Sequence, residues 1–147
     1  MNTAKATRGR RPAAAPDRPP ITLSAAEEER LSGLADAAAR RSPEVAELLL
    51  EEIGRARLVP SGKVPPDVVA MYSHLEYRDE ATGATRFVQL VYPHEADIAQ
   101  GRISVLTLVG AALLGVAAGS SILWPTQDGR ERRLTVLRVS PRPFAEA

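Results

Sequence analysis

His74 and His94 are the side chains whose type best suits metal binding or proton transfer. Neither has a carboxylate or a second histidine at the helical or turn spacing that would complete a zinc set or a catalytic pair, so no metal site and no catalytic residue is expected. The chain has no cysteine, which removes disulfides, thiolate ligands and cysteine nucleophiles together and fits a reducing, cytoplasmic compartment. A Gly-x-x-x-x-Gly-Lys-Ser/Thr loop is absent. The glycines from Gly110 to Gly119 lack both the lysine and the spacing of a nucleotide fingerprint. Ser120 and Ser121 follow Gly119 with no recognisable base beside them and read as turn residues. The chemistry that would need a cofactor is therefore not indicated, and none is expected.

Charge points the same way. The formal net charge is +1 over 147 residues, with 44% apolar and 25% charged residues, the profile of a globular chain about one domain long. Lys5, Arg8, Arg10, Arg11 and Arg18 stand against Asp17 alone in the first twenty residues, so the remainder is mildly acidic. That disfavours a broad basic nucleic-acid face on the folded part. Residues 1–20 read as a solvated, disordered basic tail whose one functional rival is a weak DNA contact. They have no apolar segment of the kind a secretory signal needs.

The uncharged run from Ile103 to Trp124 matches the length of a membrane span, about 20 residues. Gly110, Gly115 and Gly119, with Ser104, Thr107, Ser120 and Ser121, dilute its transfer energy. The better parse is a strand (Ile103 to Leu108), a short helix (Val109 to Val116), a Gly119-Ser120 turn and a strand from Ile122. No membrane contact is expected.

The elements that would carry any surface follow in order. Ser24 and Glu27 have capping-box spacing, and Leu31, Leu34, Ala35 and Ala38 make an apolar stripe behind them. Arg40 and Arg41 complement that helix's C-terminal dipole. Ser42-Pro43 caps and starts a second helix with Val45, Leu48, Leu49 and Ile53 as its stripe, up to Arg57. So short a connection makes residues 21–59 an antiparallel helical hairpin, a short coiled coil whose first arm is about 25 Å long. Pro60, Gly62, Pro65 and Pro66 mark residues 60–66 as a linker. Tyr72 to Arg78 and Arg86 to Tyr92 form a hairpin around Gly83, and Asp128-Gly129 turns the last one into Leu134 to Val139. Five strands and one helix give residues 67–147 as an antiparallel sheet unit, with Trp124, Tyr72, Tyr77, Tyr92 and Phe87 expected in its core. The fold class is α+β.

Three segments taken together carry a resemblance. Val64-Pro65-Pro66-Asp67-Val68-Val69-Ala70-Met71, then Leu90-Val91-Tyr92-Pro93, then Gly101 to Thr107 with Gly110 to Gly115, resemble the Rnk branch of the Gre-factor family in order and spacing. The likeness covers Ile21 to about Val139. It implies an N-terminal coiled coil, an FKBP-like C-terminal domain, and RNA polymerase as partner, with the sheet domain on the rim of the secondary channel and the hairpin directed into it. It also implies a link to nucleoside diphosphate kinase levels. Thr107, Leu108, Val109 and Gly110 match the loop Gre-type factors dock with, although the family has proline where Leu108 stands and an acidic residue near Ser120.

At the hairpin tip, Gre factors cluster carboxylates that hold magnesium for transcript cleavage, chemistry that needs oxygen ligands. Here the tip presents Arg40, Arg41, Ser42 and Glu44, with Asp36 a turn back, so a noncatalytic, monomeric, polymerase-binding regulator is expected. Two alternatives belong to other classes. An FKBP-like peptidyl-prolyl isomerase would need an aromatic-lined pocket, hard to assemble from 4% aromatic residues. A DNA-binding protein would act through its basic tail.

Overall fold

A computed structural model describes residues 18–125 and 130–144. Its first half is a pair of helices, α1 (Ala25–Ala38) and α2 (Pro43–Arg55), enclosed by two short strands, β1 (Thr22–Ser24) and β2 (Arg57–Val59). Ser24 Oγ accepts the Glu27 amide at 3.0 Å and so caps α1 as its position requires. The glutamate half of the box does not form. Glu27 Oε2 instead accepts from the Met71 N–H at 3.1 Å, because a half-buried carboxylate at that point meets a backbone donor with no other use.

Residues 39–42 turn the chain, the Ser42 amide donating to the Ala38 carbonyl at 2.8 Å. Arg40 and Arg41 therefore lie beyond the last turn of α1, which contains no basic residue, and they are not the dipole partners expected. Pro43 opens α2 as its missing N–H favours, while Ser42 makes no side-chain cap. Leu31, Ala35 and Ala38 face Ala46, Leu49 and Ile53 across the pair, so α2 runs back along α1.

The second helix stops two residues before the Arg57 expected for it. The Arg57 N–H donates to the Ile21 carbonyl at 2.9 Å, and β2 then runs parallel to β1, Leu23 opposite Leu58. A strand of three residues with open backbone groups gains more from a partner strand than from another half turn of helix.

The other strands are β3 (His74–Asp79), β4 (Thr85–Val91), β5 (Arg102–Ser104), β6 (Ser121–Pro125) and β7 (Glu131–Ser140), with α3 (Leu108–Leu113) between β5 and β6. They form a five-stranded sheet in the order β5-β4-β3-β7-β6. The sheet is not wholly antiparallel as expected, since β5 pairs with β4 in parallel through Gln89, Leu90 and Val91. Two 3-10 turns, Pro93–Glu95 and Ile98–Gln100, carry the chain back far enough to reverse its approach. The expected Asp128-Gly129 turn, like residues 1–17 of the basic tail, lies outside the described residues. Arg18 and Pro19, read as tail, instead belong to the folded part, where Arg18 reaches Glu52 and the Pro19 carbonyl accepts from Arg55.

Leu75, Leu90, Leu134 and Val136 on the sheet and Ala111, Leu113 and Leu114 around α3 form one buried core continuous with the helix pair. Among the aromatic residues, Tyr92 is buried and Tyr77 packs on the core, but Phe87 is 54% exposed and Tyr72 41%. Alternation explains Phe87: pairing Leu75 with Val88 turns both inward and sends Phe87 and Glu76 to the other face. No helix among the described residues is long and apolar enough to cross a membrane.

Candidate functional site

Thr107 to Gly110 is not a free loop; it is the cap and first turn of α3. Thr107 Oγ1 donates to the Ser104 carbonyl at 2.7 Å and accepts from the Gly110 amide at 3.0 Å. Ser104 Oγ accepts the Leu106 amide at 2.9 Å, closing a second small ring just before it. Glycine is required at 110, because a Cβ there would stand 2.1 Å from the Ser104 carbonyl oxygen. Leu106 and Val109 pack on the core while Leu108 stays partly exposed, so the segment is a rigid corner with one apolar side chain toward solvent.

The hairpin tip has the opposite character. Arg40, Arg41 and Glu44 are exposed, and among the described residues none of them makes a side-chain hydrogen bond or ion pair. Ser42 is half-buried in the turn. Among the described residues no hydrogen bond or ion pair joins the tip to the Thr107 corner. Among the described residues no group of three or more histidine, aspartate or glutamate side chains could hold a metal ion. His74 is half-buried, and burial lowers its pKa.

Three clusters have no counterpart in the sequence reading. Burial raises the Glu27 carboxyl above its ordinary pKa, against the lowering effect of the Met71 amide and the Arg30 charge. Arg30 also lies 5.8 Å from the centroid of the Tyr92 ring, and both Tyr92 Oη and Glu27 Oε1 are buried without a hydrogen-bond partner. Tyr72, held at φ 73°, donates its hydroxyl to Glu95 at 2.8 Å, which raises the phenol pKa and depresses that of the carboxylate. Glu52 is buried on the apolar face of α2 between Arg18 at 2.5 Å and Arg55 at 2.7 Å. Only the last left a trace in sequence, a glutamate interrupting the Leu49 and Ile53 stripe.

Residues 64–141 match the family described as transcription elongation factor, GreA/GreB, C-term, and residues 19–59 match the Rnk N-terminus. A Regulator of nucleoside diphosphate kinase from Escherichia coli K12 is 34% identical over 128 residues, 87% of this chain and 94% of that protein. The chain belongs to the Rnk branch of the GreA/GreB family. A solved structure of a transcription elongation factor GreA/GreB from Nitrosomonas europaea superposes with TM-score 0.66 at 35% identity, covering 83% of this chain and 98% of the other. A transcription elongation factor GreA from Acidiphilium cryptum is 33% identical over 91 residues, 62% of this chain and 57% of that protein. Each of these relatives is named as a factor or a regulator rather than as an enzyme. The helix pair and five-stranded sheet are thus the α+β arrangement of a GreA/GreB-like fold.

Proposed function

We propose that this Rnk-branch chain regulates transcription elongation by binding RNA polymerase, without chemistry of its own. The sheet unit would dock on the rim of the secondary channel through Thr107, Leu108, Val109 and Gly110, and the hairpin would point inward. What carries the reading is the likeness to a GreA/GreB factor over both the helix pair and the sheet. The rigid corner supports it, since a contact loop fixed by its own cap loses little freedom on docking. A partly exposed Leu108 supplies an apolar anchor there.

The tip supports the noncatalytic part. Magnesium for RNA cleavage needs clustered oxygen ligands, and the exposed pair Arg40 and Arg41 beside the single carboxylate Glu44 repels a cation instead. Residues 21–59 as hairpin, 60–66 as linker and 67–147 as an FKBP-like docking unit belong to the same reading, as does the description of the hairpin as a short coiled coil. The relative's name ties it to nucleoside diphosphate kinase; for this chain we propose that such an effect runs through transcription.

Two measurements test the proposal. Purified chain should co-elute with core RNA polymerase, should do so less after Thr107→Ala or Val109→Asp, and should survive deletion of residues 1–17. Added to backtracked complexes, it should give no transcript cleavage above the polymerase's own rate. Failure to bind polymerase, or robust stimulated cleavage, refutes the corresponding half.

A further inference from the structure

A half-open groove of about 990 Å³ lies on the outer face of the sheet, between β4, β5 and the chain that leaves β7. It lies apart from the Thr107 corner and the tip. Phe87, Phe144, His74, Gln89, Arg102 and Arg138 are among the residues that line it. None of the described residues that line it is acidic.

The two arginines differ. Arg138 is satisfied: its Nε donates to Glu76 at 3.1 Å, and its guanidinium lies 4.4 Å from the Phe144 ring centroid and 5.6 Å from that of Phe87. Arg102 is not. Its Nε is buried without a hydrogen-bond partner, and it has no ion pair among the described residues. Glu95 is near enough to feel the Arg102 charge, yet it is committed to the Tyr72 hydroxyl at 2.8 Å and the Tyr92 amide at 3.3 Å. A guanidinium that no protein carboxylate pairs with keeps its terminal N–H groups for an incoming acceptor, and a carboxylate or phosphate oxygen is the group that guanidinium geometry selects.

Charge and ring placement decide between acceptors. Arg138 is paired with Glu76, and burial lowers the His74 pKa, which disfavours its charged form. Among the described residues Arg102 lines the groove without an ion pair, a match for a single carboxylate rather than for a chain of phosphates. The Phe87 and Phe144 rings meet edge to face at 63° with Arg138 lying over both, so the guanidinium already takes a ring face on which a nucleobase would stack. The exposed remainder of Phe87 suits an aliphatic side chain. Exposed aromatic residues beside arginine are also the composition of protein-binding hot spots.

We propose that this groove docks an acidic, apolar peptide segment of a partner protein, its carboxylate on Arg102 and a neighbouring aliphatic side chain against Phe87 and Phe144. The proposal does not rest on the polymerase reading, and loss of polymerase binding leaves it standing.

The test pans a random library of displayed 12-residue peptides on the full chain, with counterselection on Arg102→Gln. The expected result is a consensus pairing Asp or Glu with an aliphatic residue. A synthetic consensus peptide should shift the Arg102 Nε–H NMR resonance and the amides of residues 87–89. Replacing its acid by the amide, or using Arg102→Gln or Phe87→Ser, should weaken binding by roughly tenfold or more, the size of a lost charged hydrogen bond. Amide spectra unchanged away from the groove confirm that both variants fold. No enriched consensus, a consensus without a carboxylate, undiminished binding to Arg102→Gln, or an oligo(dT) strand that shifts the Arg102 resonance when peptides do not, each overturns the proposal.

Discussion

Replacing Gly110 by alanine tests the rigidity of the Thr107 corner directly. The new methyl would lie 2.1 Å from the Ser104 carbonyl oxygen and 2.9 Å from Thr107 Oγ1. Ordinary contact begins at about 3.5 Å, so the first turn of α3 or the end of β5 must move by roughly 1.4 Å. Neither can move alone, because the Ser104 oxygen is also the acceptor for the Thr107 hydroxyl at 2.7 Å. Overpacking of this kind costs about 1–3 kcal/mol and loss of the threonine cap about 1 kcal/mol more, giving roughly 2–4 kcal/mol in all. Urea unfolding reads this as a lower midpoint at an unchanged slope. Gly33→Ala is the control, since it sits inside α1 with nothing within 4 Å of the added Cβ. It should stabilise by about 0.5–1 kcal/mol through helix propensity. Gly110→Ala within about 0.5 kcal/mol of the parent, or shifted the same way as Gly33→Ala, would show that the corner yields and that the argument from its geometry is wrong.

Thr107→Val keeps the shape but removes the cap to Gly110, and should lower stability by about 1 kcal/mol while Thr107→Ser restores most of it, both read from urea midpoints. Arg18→Ala leaves buried Glu52 with Arg55 alone; because the Arg18 and Arg55 side chains are 34% and 27% exposed and can rehydrate, the cost should be about 1–2 kcal/mol, below the full penalty of a broken buried pair. A thermal midpoint unmoved by Arg18→Ala would place that residue outside the folded part. Glu27→Gln should alter the pH dependence. Burial holds the Glu27 pKa above 4.5, so the folded chain retains a proton that the unfolded chain loses above that pH. Stability from the neutral carboxyl is complete below pH 4.5 and falls as pH rises through the folded pKa. The glutamine variant should therefore gain on the parent between pH 4.5 and 7, and a difference that stays constant over that range would contradict the assignment.

Much of this fold was legible because its signals are local. Leu31, Ala35 and Ala38, then Leu49 and Ile53, repeat at helical spacing, and Ser42-Pro43 can start a helix wherever it stands. The uncharged run after Arg102 was read in the right order, strand, helix and strand, although the first strand ends at Ser104 rather than Leu108, where the Thr107 cap starts the helix instead. What escaped depends on partners distant in sequence. Three residues on either side of the helix pair carry no strand signal, and β1 and β2 exist only because each supplies the other's hydrogen bonds. Glu27 has the spacing of a capping box that its side chain does not complete, which hid its bond to Met71 across 44 positions. For the candidate site, resemblance located Thr107 to Gly110, but the tight approach of Gly110 to Ser104 is a tertiary fact. The groove was missed because Phe87 was counted as core by residue type; its register in β4 decides otherwise.

The strand pair also changes how the hairpin can act. A finger joined to its base only through a proline-rich linker would sample many directions, and each would dilute a docked orientation. Here β1 enters and β2 leaves the helix pair side by side, so both ends are held together. The Thr22 amide donates to Gly115 at 3.1 Å, and Gly115 in turn donates to Val69 at 2.7 Å, which stitches the hairpin base to the sheet unit. Gly115 sits at φ 81° with a Cβ position only 2.8 Å from Ile21, so that seam admits no side chain. Glu27 adds a second tie at Met71, and α2 packs along α3, the helix that carries the Thr107 corner. The tip arginines therefore stand in fixed relation to the Thr107 corner. On the polymerase reading, a substitution at the seam, such as Gly115→Ala, should alter the effect on elongation although it touches neither contact surface.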